Sequence, residues 1–262
     1  MSEDKKKYEL LTTDIKSNLF RIKALKDFGN VKAGDLGGYI ASEENLSQAG
    51  SCWVYGDARV SDNARVFGDA WVSGNAWVSG DALVSGNARF YGDARVSDNA
   101  RVFDNAWVSG DARVSGNARV FGDAWVFDNA RVFDNALVYG DARVSDNARV
   151  FGNALVYGDA QVSDNAWVYG DAQVSDNARV FGYARIFGNA RVYGDTVVTK
   201  PVISLINVGK HNIMITDTHI AIGCENHPIA HWKKNIKKIG LDNGYSEAEI
   251  KKTIYLLKGC GL

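Results

Sequence analysis

From Gly56 to Thr199 buried-type and surface-type residues alternate on a fixed period of six, repeated 24 times without insertion or deletion. Each unit opens with Gly or Asp, then Asp, Asn or Tyr. Next come Ala or Thr, a variable residue, an apolar Val, Phe or Ile, and last Ser, Phe, Tyr or Thr. Gly50–Tyr55 (GSCWVY) adds one diverged copy in the same frame. Ala and Val stand two residues apart, as in Ala58 and Val60. In an extended strand such residues share a face, so both point inward and the variable residue between them points out. The Gly-Asp, Gly-Asn or Asp-Asn pair that follows is turn chemistry, because Gly and Asn tolerate positive φ most cheaply. One strand and one turn per six residues predict a parallel β-helix, an all-β solenoid.

The spacing from Val60 to Ala64 and from Val66 to Ala70, an aliphatic residue and a small one four positions later, resembles the hexapeptide repeat of left-handed β-helices. The resemblance implies a left-handed helix with three units per triangular coil, hence about eight regular coils. At about 4.8 Å per layer that prism is roughly 38 Å long. Ahead of it, RIKALKDFGNVKAGDLGGYI (Arg21–Ile40) and ENLSQAGSCWVYGDA (Glu44–Ala58) resemble the N-terminal cap of bacterial and phage-borne hexapeptide proteins, some of them labelled acyltransferases. The chain therefore divides into a cap (1–43), the hexapeptide array (44–199) and a C-terminal module (200–262).

In the cap, residues 1–7 (MSEDKKK) read as a charged, disordered start. Tyr8–Thr12 and Leu19–Ala24 read as a hairpin covering the first coil, because an open β-helix end is an exposed sheet edge. After Lys200-Pro201 breaks the period, Val202–Val208, Ile213–Thr216 and His219–Ile222 read as closing strands. A helix starting at Asn226 or His227 carries the apolar stripe Ile229, Trp232, Ile236 and Ile239 and ends at Gly240. Ser246 and Glu249 form a capping-box pair for a second helix bearing Ile250, Ile254 and Leu257.

Stepping by 18 sorts the outward mid-strand residues onto three faces. The first carries Trp53, Trp71, Arg89, Trp107, Trp125, Arg143, Gln161 and Arg179. The second carries Arg59, Trp77, Arg95, Arg113, Arg131, Arg149, Trp167 and Arg185, and the third Arg65, Leu83, Arg101, Arg119, Leu137, Leu155, Gln173 and Arg191. Two aromatic columns fall at strand ends: Phe103, Phe121, Tyr139 and Tyr157, and Phe133, Phe151, Tyr169 and Phe187.

Charge changes the picture only through its placement. The net charge is −1, yet Gly56–Thr199 holds 18 Asp and 13 Arg with no Lys or Glu, near −5, whereas the segment after it holds nine Lys against five acids, near +4. Neither figure argues nucleic-acid binding by bulk charge. The first 18 residues hold no apolar signal core and no 18-residue apolar run exists, so no membrane partner is expected. Three cysteines, Cys52, Cys224 and Cys260, point to a reducing cytoplasm rather than to a disulfide framework; the resemblance to phage-borne proteins implies that it is the cytoplasm of a bacterial host cell.

The enzymes among left-handed β-helices are, by the resemblance, trimeric acyltransferases or carbonic anhydrases that use His between coils. This array has no His; His211, His219, His227 and His231 all lie beyond it. His227 and His231, four apart, with Cys224, have the spacing of zinc ligands on one helix face, but a helix start with polar capping side chains and a buried thiol is the preferred reading. No catalytic residue, metal or cofactor is assigned. Near-identical units suit repeated contact better than one reaction, which favours a binding protein or scaffold over an enzyme; if the chain is an enzyme, acyl transfer is the implied class. A wall of Arg and Trp holds anions by forked hydrogen bonds and bases by stacking. The expected ligand surface is Arg95, Arg113, Arg131 and Arg149 bracketed by Trp77 and Trp167, and a phage setting makes a nucleotide signal of host defence one ligand, with a host protein as another partner. The aromatic area exceeds what a solitary prism exposes. Trp53, Trp71, Trp107, Trp125, Phe103, Phe121, Tyr139 and Tyr157 are therefore expected to be covered in a homodimer or homotrimer.

Overall fold

A computed structural model describes residues 6–208, 211–223 and 225–260, so most of the charged opening expected over 1–7 lies outside the described residues. Among them the array forms as the period predicts. Strand β4 (Trp53–Val54) is followed by 24 two-residue strands, β5 (Arg59–Val60) to β28 (Val197–Val198), one every six residues. Strands β4 to β25 each pair in parallel with the strand 18 residues on; Trp107 faces Trp125 and Val108 faces Val126. The result is three ladders of stacked strands, one per face. Backbone groups are satisfied between layers: the Trp107 amide donates to Ala124 O at 2.9 Å and the Ser109 amide to Val126 O at 3.0 Å. Inside, the Ala and Val columns are almost fully buried from Ala58 to Val198, with Phe90 and Ile186 the larger members.

The winding starts earlier than the repeat. Tyr39 pairs with Arg59 and Leu46 with Val66, each 20 residues on, before Trp53 pairs with Trp71 at the regular 18. A diverged coil with two extra residues therefore precedes the regular ones, giving about nine coils. Asn45 fills the gap that the irregularity leaves. Its side chain accepts from the Ala41 and Ser42 amides and donates to the Asp62 and Ala64 carbonyls.

The turns differ from expectation in one respect. The first turn position has positive φ, and where Gly is absent it is Asp, not Asn, that adopts it, as at Asp98 (φ 59) and Asp134 (φ 59). A left-handed residue with a Cβ costs about 1–2 kcal/mol. Here the carboxylate recovers part of that cost by accepting an amide from the next coil: Asp98 from Gly116 at 3.0 Å and Asp134 from Gly152 at 3.2 Å. The second turn position forms side-chain ladders instead, in which Asn117 donates to Asn135, Asn135 to Asn153, and Asn153 to Asp171. Asn in these layers keeps carboxylates from stacking on carboxylates.

Strands β1 (Tyr8–Lys16) and β2 (Leu19–Ala24) form the expected hairpin, closed by Ser17 and Asn18 at positive φ, which suits a tight hairpin turn. The pair then adds through β3 (Leu36–Ile40) to the second-face ladder, which reaches 11 strands. The open end of the first coil is filled by a cation and three rings. Buried Lys7 donates to Cys52 O at 3.0 Å and lies 3.3 Å from its thiol. Burial holds the Lys7 ammonium below the ordinary lysine range and pushes the Cys52 thiol up. Tyr8 and Phe28 set their ring edges on Trp53 at 6.0 and 5.3 Å. Trp53 is 1% exposed as a result. It is covered by its own cap and is not available to a second chain, contrary to expectation.

At the other end, β29 (Ile203–Val208), β30 (His211–Ile215), β31 (His219–Ile222) and β32 (Glu225–Pro228) make an antiparallel sheet. The fourth strand occupies residues expected to begin a helix. It pairs along β31 from Ile222–Glu225 to His219–Pro228, so Pro228 ends a strand and caps α1 (Ile229–Asp242). Gly240 does not stop α1. A Cβ there would sit 2.7 Å from Ile250 Cγ1, so the glycine instead lets α2 (Glu247–Gly259) pack closely. The Ser246–Glu249 capping box is formed as expected. The module is fastened to the last coil by side chains. Asp217 accepts from the Thr199 amide and hydroxyl and from the Lys200 amide, and Thr218 donates to Val197 O. No helix among the described residues is long and apolar enough to cross a membrane.

Candidate ligand-binding face

The second face builds its column as the 18-residue step predicts. Trp77, Arg95, Arg113, Arg131, Arg149 and Trp167 are successive partners across six strands, one layer apart. Arg95, Arg113 and Arg131 are exposed and Arg149 is half-buried. Among the described residues the ion pairs lie in the cap, in the C-terminal module and between cap Lys16 and array Asp57, and none involves an array arginine. Turn aspartates do not close on the column. Asp98 and Asp134 point along a corner to amides of the next coil, and Asp171 accepts from Asn153 of the preceding one. Four guanidinium groups roughly 5 Å apart thus repel one another in solvent without a fixed counter-charge.

The bracketing tryptophans are not equivalent. Trp167 has guanidinium groups on both sides, Arg149 at 5.0 Å and Arg185 at 4.9 Å from the ring centroid. Its ring faces are taken, so it anchors Arg149 rather than offering a stacking surface. Trp77 is 40% exposed and donates its indole N–H to Ser61 Oγ at 3.1 Å. A second aromatic set lies near the arginines, its inner ring faces taken by one another. Phe133, Phe151 and Tyr169 follow the second-face strands, continue the same ladder through bonds such as Phe133 N to Val150 O, and stack at 4.8 and 5.0 Å. This aromatic ribbon runs beside Arg131 and Arg149, a juxtaposition that the repeat itself encodes, since residues two apart in a strand share a face.

The residues expected at an interface fall on two faces. On the first, Arg89 lies between Trp71 and Trp107 at 5.7 and 5.2 Å, Trp107 stacks on Trp125 at 4.9 Å, and Arg143 covers Trp125 at 5.4 Å. Phe103, Phe121, Tyr139 and Tyr157 stack at 4.9, 4.9 and 5.1 Å on the third, beside Arg101, Arg119, Leu137 and Leu155. The two sets meet across one edge of the prism, where the chain turns from Phe103 to Trp107.

His227 and His231 come together, with ring centroids 4.6 Å apart, but not on one helix face: His227 is in β32 and His231 in α1. His227 Nε2 is 2.7 Å from Glu225 Oε2. That hydrogen bond, with a second from Asn243, holds the Glu225 carboxyl below the usual carboxylate range. Cys224 lies outside the described residues, and no group of three or more metal-ligating side chains is present among them.

Three comparisons bear on the family. A family model for the YdcK β-solenoid repeat matches eight stretches, at residues 58–74, 94–110, 112–128, 130–146, 142–158, 160–174, 172–186 and 184–199. The protein named uncharacterized acetyltransferase YdcK of Escherichia coli K12 is 35% identical over 74 residues. That match takes in 25% of this chain and 23% of the relative. Among solved structures, the Francisella novicida UDP-N-acetylglucosamine acyltransferase aligns at 15% identity with a TM-score of 0.34, over 80% of this chain and 78% of its own. LpxA from Acinetobacter baumannii aligns at 13% identity with a TM-score of 0.36, over 81% and 80%. With its six-residue period, three stacked ladders and solenoid-repeat matches, the chain is a hexapeptide-repeat parallel β-helix protein.

Proposed function

We propose that this protein is a non-catalytic binding protein whose second face holds a phosphate-bearing ligand. One observation carries the reading: Arg95, Arg113, Arg131 and Arg149 stand in adjacent layers with no carboxylate in ion-pair range among the described residues. An anion laid along the column removes their mutual repulsion and accepts forked hydrogen bonds. The exposed Trp77 indole and the outer ring face of Phe133, the first member of its ribbon, suit a base, so the ligand class is a nucleotide or dinucleotide. In a bacterial cytoplasm, a phage-encoded protein of this kind would sequester a host-defence signal. A second copy of the chain would cover the Trp and Phe/Tyr columns of the first and third faces.

Acetyl transfer is the second reading, favoured by the name of the E. coli relative. It needs a base from outside the array, and the histidines available are those of the C-terminal module.

A thermal-shift screen with nucleotides, dinucleotides and acetyl-CoA separates the two. A nucleotide should raise the melting temperature of the parent protein, and the shift should shrink as salt rises. Arg113→Ala combined with Arg131→Ala should weaken binding at least about 100-fold, since charge-assisted hydrogen bonds contribute roughly 1.5–3 kcal/mol each. The melting of the unliganded variant should not change. Stabilisation by acetyl-CoA with measurable turnover, or equal nucleotide binding by the double variant, would overturn the proposal.

A further inference from the structure

The two C-terminal helices bury one side and leave the other strongly basic. Trp232 is 3% exposed and, with Ile236 and Ile239, faces the sheet and α2. At about 100° per residue, Lys233, Lys234, Lys237 and Lys238 fall on the opposite arc. All four are exposed, and none is in ion-pair range of a carboxylate among the described residues.

Their position works against the helix that carries them. Two like-charged pairs sit at i, i+4, which destabilises a helix. The stripe occupies the middle of α1, whose first turn holds no acid and whose last turn holds no base, so no charge at either end complements the macrodipole. The neighbouring helix does the reverse: α2 has Glu247 and Glu249 in its first turn and Lys258 in its last. Within one hairpin, then, α2 is arranged for helix stability and α1 is not. On α2, Tyr255 is 78% exposed, on the side away from buried Ile250 and Leu257, with Lys251 one turn before it.

We infer that the outer side of this hairpin binds single-stranded nucleic acid, with the α1 lysines on phosphates and Tyr255 under an unpaired base. The chain's net charge of −1 hides such a site because the acidic array offsets the basic module. A lone exposed ring has no base face to meet on a duplex, which favours a single strand. The surface is separate from the arginine column, and neither assignment depends on the other.

Fluorescence anisotropy of the full chain with a labelled oligothymidylate and with a duplex of equal length tests it. The parent should bind the single strand at 50 mM salt and lose roughly fifty-fold in affinity by 200 mM, the slope for about four phosphate contacts. Changing Lys233, Lys234, Lys237 and Lys238 together to Gln should weaken binding by a similar factor, with a melting temperature no lower than the parent's. Tyr255→Ala should cost about tenfold on the single strand and nothing on the duplex. Arg65→Ala, an exposed third-face arginine outside both assigned surfaces, should leave binding unchanged. The inference fails if no oligonucleotide binds at 50 mM salt, if the four-lysine variant binds as tightly as the parent, or if the duplex binds more tightly and Tyr255→Ala has no effect.

Discussion

Replacing Val126 by Asp is expected to unfold the centre of the β-helix. Val126 is fully buried between Val108 and Val144 of the adjacent coils. The array core around it is a column of Ala and Val, without a polar group to meet a carboxyl. The substitution forfeits the burial of a Val side chain, about 1.5–3 kcal/mol, and strands an unpaired polar group at a further cost of several kcal/mol. A total on the order of 5 kcal/mol matches the whole stability of many domains. In a solenoid each coil touches only its neighbours, so the loss severs the array in its middle. Trp125→Asp, one residue earlier, is the control. Trp125 points outward at 38% exposure and would lose only its stacking with Trp107 and its contact with Arg143, roughly 1–2 kcal/mol. Urea melts followed by circular dichroism should show the first variant unfolded or melting far earlier, and the second close to the parent. The opposite order would mean that the inward register is wrong by one residue.

Gly38→Val is expected to undock the N-terminal cap while leaving most of the array wound. A Cβ at Gly38 would lie 2.5 Å from Ala58 O and 2.7 Å from Val54 Cγ1. The first of these atoms is backbone and cannot yield, because Ala58 O also accepts the Tyr39 amide at 2.9 Å and holds β3 to β5. Gly37 is equally confined, with Val54 O and the Trp53 ring within 2.7 Å of its would-be Cβ. Forcing a larger side chain into such contact costs about 1–3 kcal/mol or more, enough to release β3 and, with it, the rings that cover Trp53. Tryptophan emission should shift to the red and trypsin should cut before residue 40 far faster than in the parent. Unchanged emission and proteolysis would show that the cap does not depend on this close approach.

The parts legible in the sequence were those that a single period writes. Val108 over Val126, Arg95 over Arg113 and Phe103 over Phe121 follow from one step of 18, because every coil has the same length and every strand the same two faces. Features that rest on contacts outside that step were not legible. Trp53 occupies an outward position, and its burial comes from Tyr8 and Phe28, residues far away in the chain with no part in the repeat. Asp98 adopts a left-handed conformation because an amide 18 residues later meets its carboxylate, which no local propensity reveals. Strand β32 (ENHP) is polar, ends in Pro and gains its strand character only by pairing with β31. At the candidate site the arginine column was readable, and its composition was partly misjudged. Trp167 is enclosed by Arg149 and Arg185 through ordinary outward packing of neighbours one layer away, while the Phe133 ribbon shares the arginines' face because residues two apart in a strand point the same way.

Whether the arginine column holds an anion is tested most directly by a native mass spectrum of freshly purified protein. Each chain should retain a phosphate-bearing molecule in the mass range of a nucleotide or dinucleotide, and Arg113→Ala with Arg131→Ala should fly without it in the same assembly. A parent protein that carries no ligand and takes up none when nucleotides are added, while it converts acetyl-CoA to CoA, would contradict it.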